Sequence, residues 1–285
     1  MRRMVTRINA LTDPSGDNPV WIAEGDDGRP LGTARLFIPA GGGAADLRIT
    51  VHPAERRTGV GTRLLHAAVG SATERGLPGL LGPAVEEGSA GESFCVASGM
   101  RRVLALTYTR LDLAVFRGEA GAVDGYRLVH WAGAVPDELA GTYARSRRAM
   151  DDMPMDDAAW TPDVWDVERL HRVAAAVAER GEILLTTAAI GADGEIAGFT
   201  EVVVAGDGAG DGQHYGTGVL PEHRGRGLAR WLKAAQIEEI RARFPKLEGL
   251  LADTADSNTV MRRVNDALGY RPTHRSLLYQ IDLPR

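Results

Sequence analysis

The chain has 285 residues, 44% of them hydrophobic and 25% charged, the balance of an ordinary globular protein, and its length suits one large domain or two small ones. A net charge of −5 argues against a nucleic-acid binder held by bulk positive charge, and no apolar run approaches the roughly 20 residues that span a bilayer. The single cysteine, Cys95, excludes an internal disulfide and any multi-cysteine metal site, so no metal is expected. Met1-Arg2-Arg3-Met4 is not followed by the apolar run of a secretory leader. The expectation is a cytoplasmic monomer or homodimer with neither nucleic-acid nor membrane partners.

In chain order, strands are expected at Val20 to Ala23, Leu31 to Ile38 and Asp46 to Val51, then a helix at Thr62 to Arg75. A short strand follows within Leu77 to Val85. A short helix ends at Gly99-Met100, and a strand at Val103 to Leu113 closes the first half. Arg117 to Gly121 reads as a linker, with residues 1–118 and 119–285 as two unequal domains. The second half opens on helical stretches at Pro136 to Arg148 and Val164 to Glu179. In the latter, Val167, Leu170, Val173, Ala174 and Val177 recur at helical spacing. Strands at Phe199 to Val204 and Tyr215 to Leu220 precede a helix at Leu228 to Arg243. A strand at Leu247 to Thr254, a helix ending at Gly269-Tyr270 and a strand at Ser276 to Leu283 complete the chain.

The two halves repeat one another. Val51-His52-Pro53-Ala54-Glu55-Arg56-Arg57-Thr58-Gly59-Val60-Gly61 aligns with Val219-Leu220-Pro221-Glu222-His223-Arg224-Gly225-Arg226-Gly227-Leu228-Ala229. Both read Val-x-Pro-x-x-Arg-x-x-Gly-x-small, and both join a strand to a long helix. The shared order of strand, glycine turn, helix, strand, helix, strand reads as α/β. Small residues at such a turn leave first-turn amides free to face an anion, which the helix dipole also favours. Neither a Walker loop nor a dinucleotide fingerprint fits, because no Gly-Lys-Ser/Thr follows and Gly-x-Gly-x-x-Gly is not met.

This doubled motif resembles the acyl-CoA-binding signature of the GNAT superfamily of N-acetyltransferases, and the tandem layout resembles the double-GNAT, mycothiol synthase-like members. The resemblance implies a mixed α/β sheet built as a tandem GNAT fold with a shortened first domain. It implies that acetyl-CoA is the cosubstrate, with its diphosphate among the amides of Arg224, Gly225, Arg226, Gly227, Leu228 and Ala229. The backbone of Val219 and Leu220 would pair with the pantetheine arm beside a β-bulge. Asn258 matches a pantetheine-contacting residue, and it also suits a helix N-cap. In the first half Arg56, Gly59 and Gly61 match the same loop, but the acceptor-walling helices are missing. That half is therefore expected to be structural or a vestigial CoA site.

Transfer to an amine needs a base and an acid. Many members of the superfamily carry a Tyr four residues before the Gly-aromatic pair as the acid. Here that position is Asn265, and in the first half it is Cys95. Tyr215 and Tyr270 are nearby candidates. For the base, Glu201 stands in an otherwise apolar strand, where a carboxylate is paired, exposed, or cleft-facing with a raised pKa. Gln213 and His214 lie where some members place a base, and His214 is expected to titrate near neutrality. Asp151, Asp152, Asp156 and Asp157 suit a cationic acceptor. The expected activity is acetyl-CoA-dependent transfer to the primary amine of a small molecule by direct attack in a ternary complex. Acyl-CoA sensing without turnover and acylation of a protein Lys or N-terminus are the alternatives.

Overall fold

The computed structural model describes residues 19–39, 43–118, 121–160, 162 and 164–284. The N-terminal residues 1–4, and residues 119 and 120 of the expected linker, lie outside them. The first half holds β1 (Val20–Glu24), β2 (Pro30–Phe37), β3 (Ala45–Val51), α1 (Val60–Glu74), β4 (Gly79–Leu81), β5 (Val85–Glu86), α2 (Ala90–Ala97) and β6 (Arg101–Asp112). The second holds β7 (Arg127–Ala132), α3 (Asp137–Ser146), α4 (Val167–Glu179), β8 (Glu182–Ile190), β9 (Ile196–Ala205), β10 (Gly210–Val219), α5 (Leu228–Arg243), β11 (Leu247–Ala255), α6 (Thr259–Leu268) and β12 (Arg271–Asp282). Among these residues no helix is long and apolar enough to cross a membrane.

The strands form one mixed sheet in the order β1-β2-β3-β4-β12-β6-β11-β10-β9-β8-β7, with β5 beside β12. This order departs from the expectation that each final strand closes its own half. β12, the last strand of the second half, pairs with β4 of the first, and β6 pairs with β11. The two exchanged strands pair with each other over Arg271↔Arg110 to Gln280↔Arg101, which fuses the halves through the middle of the sheet.

Helices cover the sheet according to their apolar faces. Ala234, Ile237 and Ile240 of α5 and Leu268 of α6 pack on Val202, Val204, Leu250 and Ala252 on one face. On the other, Ala140 and Tyr143 of α3 and Leu170 of α4 pack on Ala188 and Phe199. The 3-10 turn Arg147–Met150, which follows α3, lies so close to β10 that a Cβ on Gly218 would come 2.9 Å from the Cβ of Ala149. α1 fills the corresponding layer of the first half with Leu65, Ala68 and Ala72 against Leu36 and Leu47.

Candidate active site

The site begins where two parallel strands part. β10 and β11 pair from Gly210↔Leu247 to Gln213↔Leu251 and no further. Beyond that point β11 stays in register with β6 through Ala252↔Thr109, Asp253↔Tyr108 and Thr254↔Thr107, while β10 follows β9. A wedge-shaped gap therefore opens between β10 and β11. The bulge that bends β10 away is centred on Tyr215, the extra residue between His214↔Val202 and Gly216↔Glu201.

The mouth of this gap is the glycine turn. Gly225 and Gly227 have φ of 76° and 82°. Gly227 is the N-cap of α5 and offers no side chain to the first-turn amides. The amide of Arg224 is directed to the Pro221 carbonyl at 3.3 Å, whereas none of the amides from Gly225 to Ala229 has a backbone partner. Five adjacent unmet donors on a helix N-terminus form an anion cradle. The Arg224 side chain does not enter it. Its Nε donates to the Val219 carbonyl at 2.9 Å, and its guanidinium binds Asp152 at 2.6 and 2.8 Å. Asp152 is thereby held below the usual carboxylate range and is neutralised as an attractor for a cationic acceptor.

The strand end differs from the expectation at one residue. The N–H of Leu220 donates to Ala197 and its carbonyl accepts from His223, both at 2.9 Å, so its backbone is committed inside the protein. By the alternation of an antiparallel pair, the backbone of Thr217 and Val219 faces the gap instead. On the opposite wall Asn258 caps α6, its Oδ1 accepting from the Met261 amide at 3.1 Å. Behind it the Oδ1 of Asn265 is buried with no partner, while its Nδ2 donates to Thr254.

The first-half loop repeats this backbone with one change. Gly59 has φ 85°, but the position matching Gly225 is Arg57 at φ 66°, a left-handed conformation that costs a non-glycine residue energy. Arg56 Nε reaches the Val51 carbonyl as Arg224 reaches that of Val219. At Gly61 a Cβ would stand 3.2 Å from the ring of Phe94, a tight contact that the ring would have to relieve by shifting.

The proposed proton-handling residues fall on different sides of the sheet. Glu201 is 2% exposed and paired: Arg147 Nη1 stands 2.6 Å from one carboxylate oxygen and the Tyr143 hydroxyl donates to the other at 2.5 Å. It is thus the paired carboxylate among the three possibilities, and not one facing an open cleft. Tyr215 packs on the α4 side with Val203 and Leu184. His214 points the other way, its Nε2 bonded to the Tyr270 hydroxyl at 2.5 Å. Burial, with the nearby Lys233 charge, pushes His214 well below the ordinary histidine range, so it stays neutral and does not titrate near neutrality as expected.

Two groups on the elements flanking the gap escaped the sequence reading. Lys233 on α5 is 2% exposed, and burial lowers its ammonium to a pKa of about 7. Asp253 projects from β11 to the face away from α5, because its neighbours Leu250 and Ala252 face that helix. The surrounding protein raises its pKa, with Lys233 opposing the rise. Beside it Tyr108 stacks on His274, with ring centroids 4.4 Å apart. Among the described residues no cluster of three or more His, Cys, Asp or Glu is placed to hold a metal ion.

A parted parallel pair with an anion cradle at its mouth, joined in one sheet to a second glycine loop of similar backbone, defines an acyltransferase architecture with a doubled loop. Residues 16–98 match the acetyltransferase (GNAT) domain and residues 149–270 the acetyltransferase (GNAT) family. The chain belongs to the GNAT family of acetyltransferases, as a double-GNAT N-acetyltransferase. It is 31% identical to the mycothiol acetyltransferase of Clavibacter michiganensis subsp. michiganensis over 80% of this chain and 69% of that one. With the mycothiol acetyltransferase of Tsukamurella paurometabola the identity is 27% over 93% and 86%. A tandem GNAT protein from the clavulanic acid biosynthesis pathway superposes with a TM-score of 0.75 at 26% identity, over 96% and 85% of the two chains. GNAT enzymes use acetyl-CoA as the acyl donor.

Proposed function

We propose that the protein transfers the acetyl group of acetyl-CoA to the primary amine of a small molecule by direct attack in a ternary complex, and that the second half, residues 119–285, is the catalytic one. The observation that carries this reading is the gap between β10 and β11, with its unmet amides from Gly225 to Ala229. The residues present suit the donor: a cradle for a diphosphate, the strand edge of Thr217 and Val219 for a pantetheine amide chain, and the orphaned Asn265 Oδ1 as an acceptor for a buried N–H. Mycothiol acetyltransferases among the relatives favour a small acceptor over a protein one.

In this reading Asp253 draws the acceptor ammonium and takes its proton on the face opposite α5. Glu201 acts through Arg147, holding the 3-10 turn against β10. His214 is a neutral partner for Tyr270. The first half, residues 1–118, serves as scaffold, since Phe94 lies against Gly61 and, among the described residues, no helices wall an acceptor site there. One observation favours acyl-CoA sensing without turnover: the usual acid position carries Asn265. The two readings separate on thiol release from acetyl-CoA with a panel of an amino sugar, an amino-acid amide and a polyamine. Release with one of them is expected. Tight binding of acetyl-CoA without release on any amine would support the sensor.

A further inference from the structure

Lys233 is a cation that the binding assignments leave unused. Among the described residues it makes neither a hydrogen bond nor an ion pair, although it is almost wholly buried. Its Nζ lies 4.9 Å from the centroid of the Tyr270 ring, whose π-face partly offsets the lost hydration. The charge acts on His214 of β10 and on Asp253 of β11, the strands on either side of the gap, and both stand just past the last paired residues Gln213 and Leu251. The ammonium therefore lies on the α5 side of the sheet against Tyr270, whose hydroxyl bonds His214, the residue after the last one of β10 that pairs with β11. The titratable groups that its charge meets are His214 of β10, Asp253 of β11 and Tyr270.

Acyl transfer from a thioester leaves a thiolate that needs a proton. Asn265 has none to give at neutral pH. The Tyr270 hydroxyl is bonded to His214, and burial raises its pKa far above the usual phenol range. The neutral His214 imidazole meets Tyr270 through Nε2, and its Nδ1 is buried without a partner, cut off from any solvent that could replace a proton given away. Lys233 is charged, unpartnered and lodged on the α5 side of the sheet, and an aliphatic residue at this helix position would bury at far lower cost.

We propose that Lys233 is the acid of this transfer: as the amine nitrogen bonds to the carbonyl carbon and the carbon–sulfur bond breaks, Lys233 gives a proton to the released thiolate and is recharged through solvent by the proton that leaves the attacking nitrogen. The proposal rests on the transferase reading above. The lowered pKa supports it, since an acid poised near working pH both holds and releases its proton.

The test compares wild type with Lys233→Met and Lys233→Gln, using acetyl-CoA and whichever amine of the panel the wild type acetylates. In the wild type, kcat is expected to fall as pH rises through the Lys233 ionisation. Both variants should lose that alkaline limb and about 100-fold in kcat, with the Kd for acetyl-CoA within threefold of wild type. Without any ligand, the thermal midpoint of Lys233→Met at pH 7 should exceed that of wild type by several degrees, because a buried charge is removed. If either variant keeps the wild-type limb, or kcat within threefold of wild type, the assignment is overturned while the transferase reading stands. A wild type without an ionisation between pH 6 and 9 overturns it as well, with no variant needed. Wild type that binds acetyl-CoA and acetylates no amine overturns both.

Discussion

Arg147 and Glu201 form a 2.6 Å ion pair with side chains only 5% and 3% exposed. The Arg147 guanidinium is layered 3.9 Å from the Trp165 ring centroid and 4.6 Å from that of Phe199. Removing one member leaves the other charge buried and alone. Glu201→Gln is therefore expected to destabilise the fold by about 3 kcal/mol or more, whereas the double change Arg147→Met with Glu201→Leu should cost much less. Chemical denaturation of the three variants checks this. A loss of turnover in Glu201→Gln at an unchanged denaturation midpoint would instead give Glu201 a direct part in proton transfer.

The anion cradle can be tested without confusing charge and strain. Gly227 has φ 82°, so any side chain there carries a backbone penalty, but Asn tolerates the left-handed region better than most residues. Gly227→Asn should weaken acetyl-CoA binding modestly, and Gly227→Asp should abolish it, because a carboxylate then meets the diphosphate. Gly59→Asp, the matching change in the first half, should leave turnover within about twofold. Calorimetric titration of all three with acetyl-CoA decides. Binding that survives in Gly227→Asp would move the donor site elsewhere.

Two buried bases make stability depend on pH in the same direction. The folded pKa of Lys233, about 7, lies below its unfolded value of roughly 10.4. Between those values the unfolded chain binds more protons, so stability rises with pH across that window. The cost is nearly complete at pH 7, levels off below it, and is on the order of 4 kcal/mol. His214 adds a second loss as pH falls below about 6.5, where the unfolded imidazole takes up a proton that the folded one refuses. Thermal midpoints of wild type should climb from pH 5.5 to 9. In Lys233→Met the climb above pH 7 should be flatter and the midpoint at pH 7 higher.

The strand exchange predicts that neither half is stable alone. Residues 119–285 expressed by themselves leave β11 without β6, and β12 without both β4 and β6. That fragment is expected to aggregate or to unfold without a cooperative transition. Coexpressed as two chains, 1–118 and 119–285 should copurify. A soluble, cooperatively unfolding 119–285 would show that β12 can close its own half.

The repeat, the element order and the glycine turns were legible because each is written in local chemistry. A residue at positive φ before a helix selects Gly, and a strand feeding a capless helix needs small side chains. The exchange was not legible, because β6 and β12 each follow an equivalent short helix and the edges of β4 and β11 accept either. His214 and Glu201 were found as residues but not as states: the α5-side environment of one and the Arg147 partner of the other come from elements distant in sequence. Lys233 sits in a helix rich in charge, Leu228–Arg243, where a lysine ordinarily reads as solvent-facing. Only the packing of α5 over the parted strands turns it inward.

The position of β12 also bears on how the chain is made. The strand at the centre of the sheet, Arg271–Asp282, is synthesised long after its neighbours β4 and β6. Until then β4 and β6 wait beside an empty slot, each with an unpaired edge, although both were synthesised with the first half. The sheet thus closes late and by contacts of long sequence separation, which slows folding and leaves open edges exposed to other chains. A chain cut before Arg271 lacks the strand that joins its two halves.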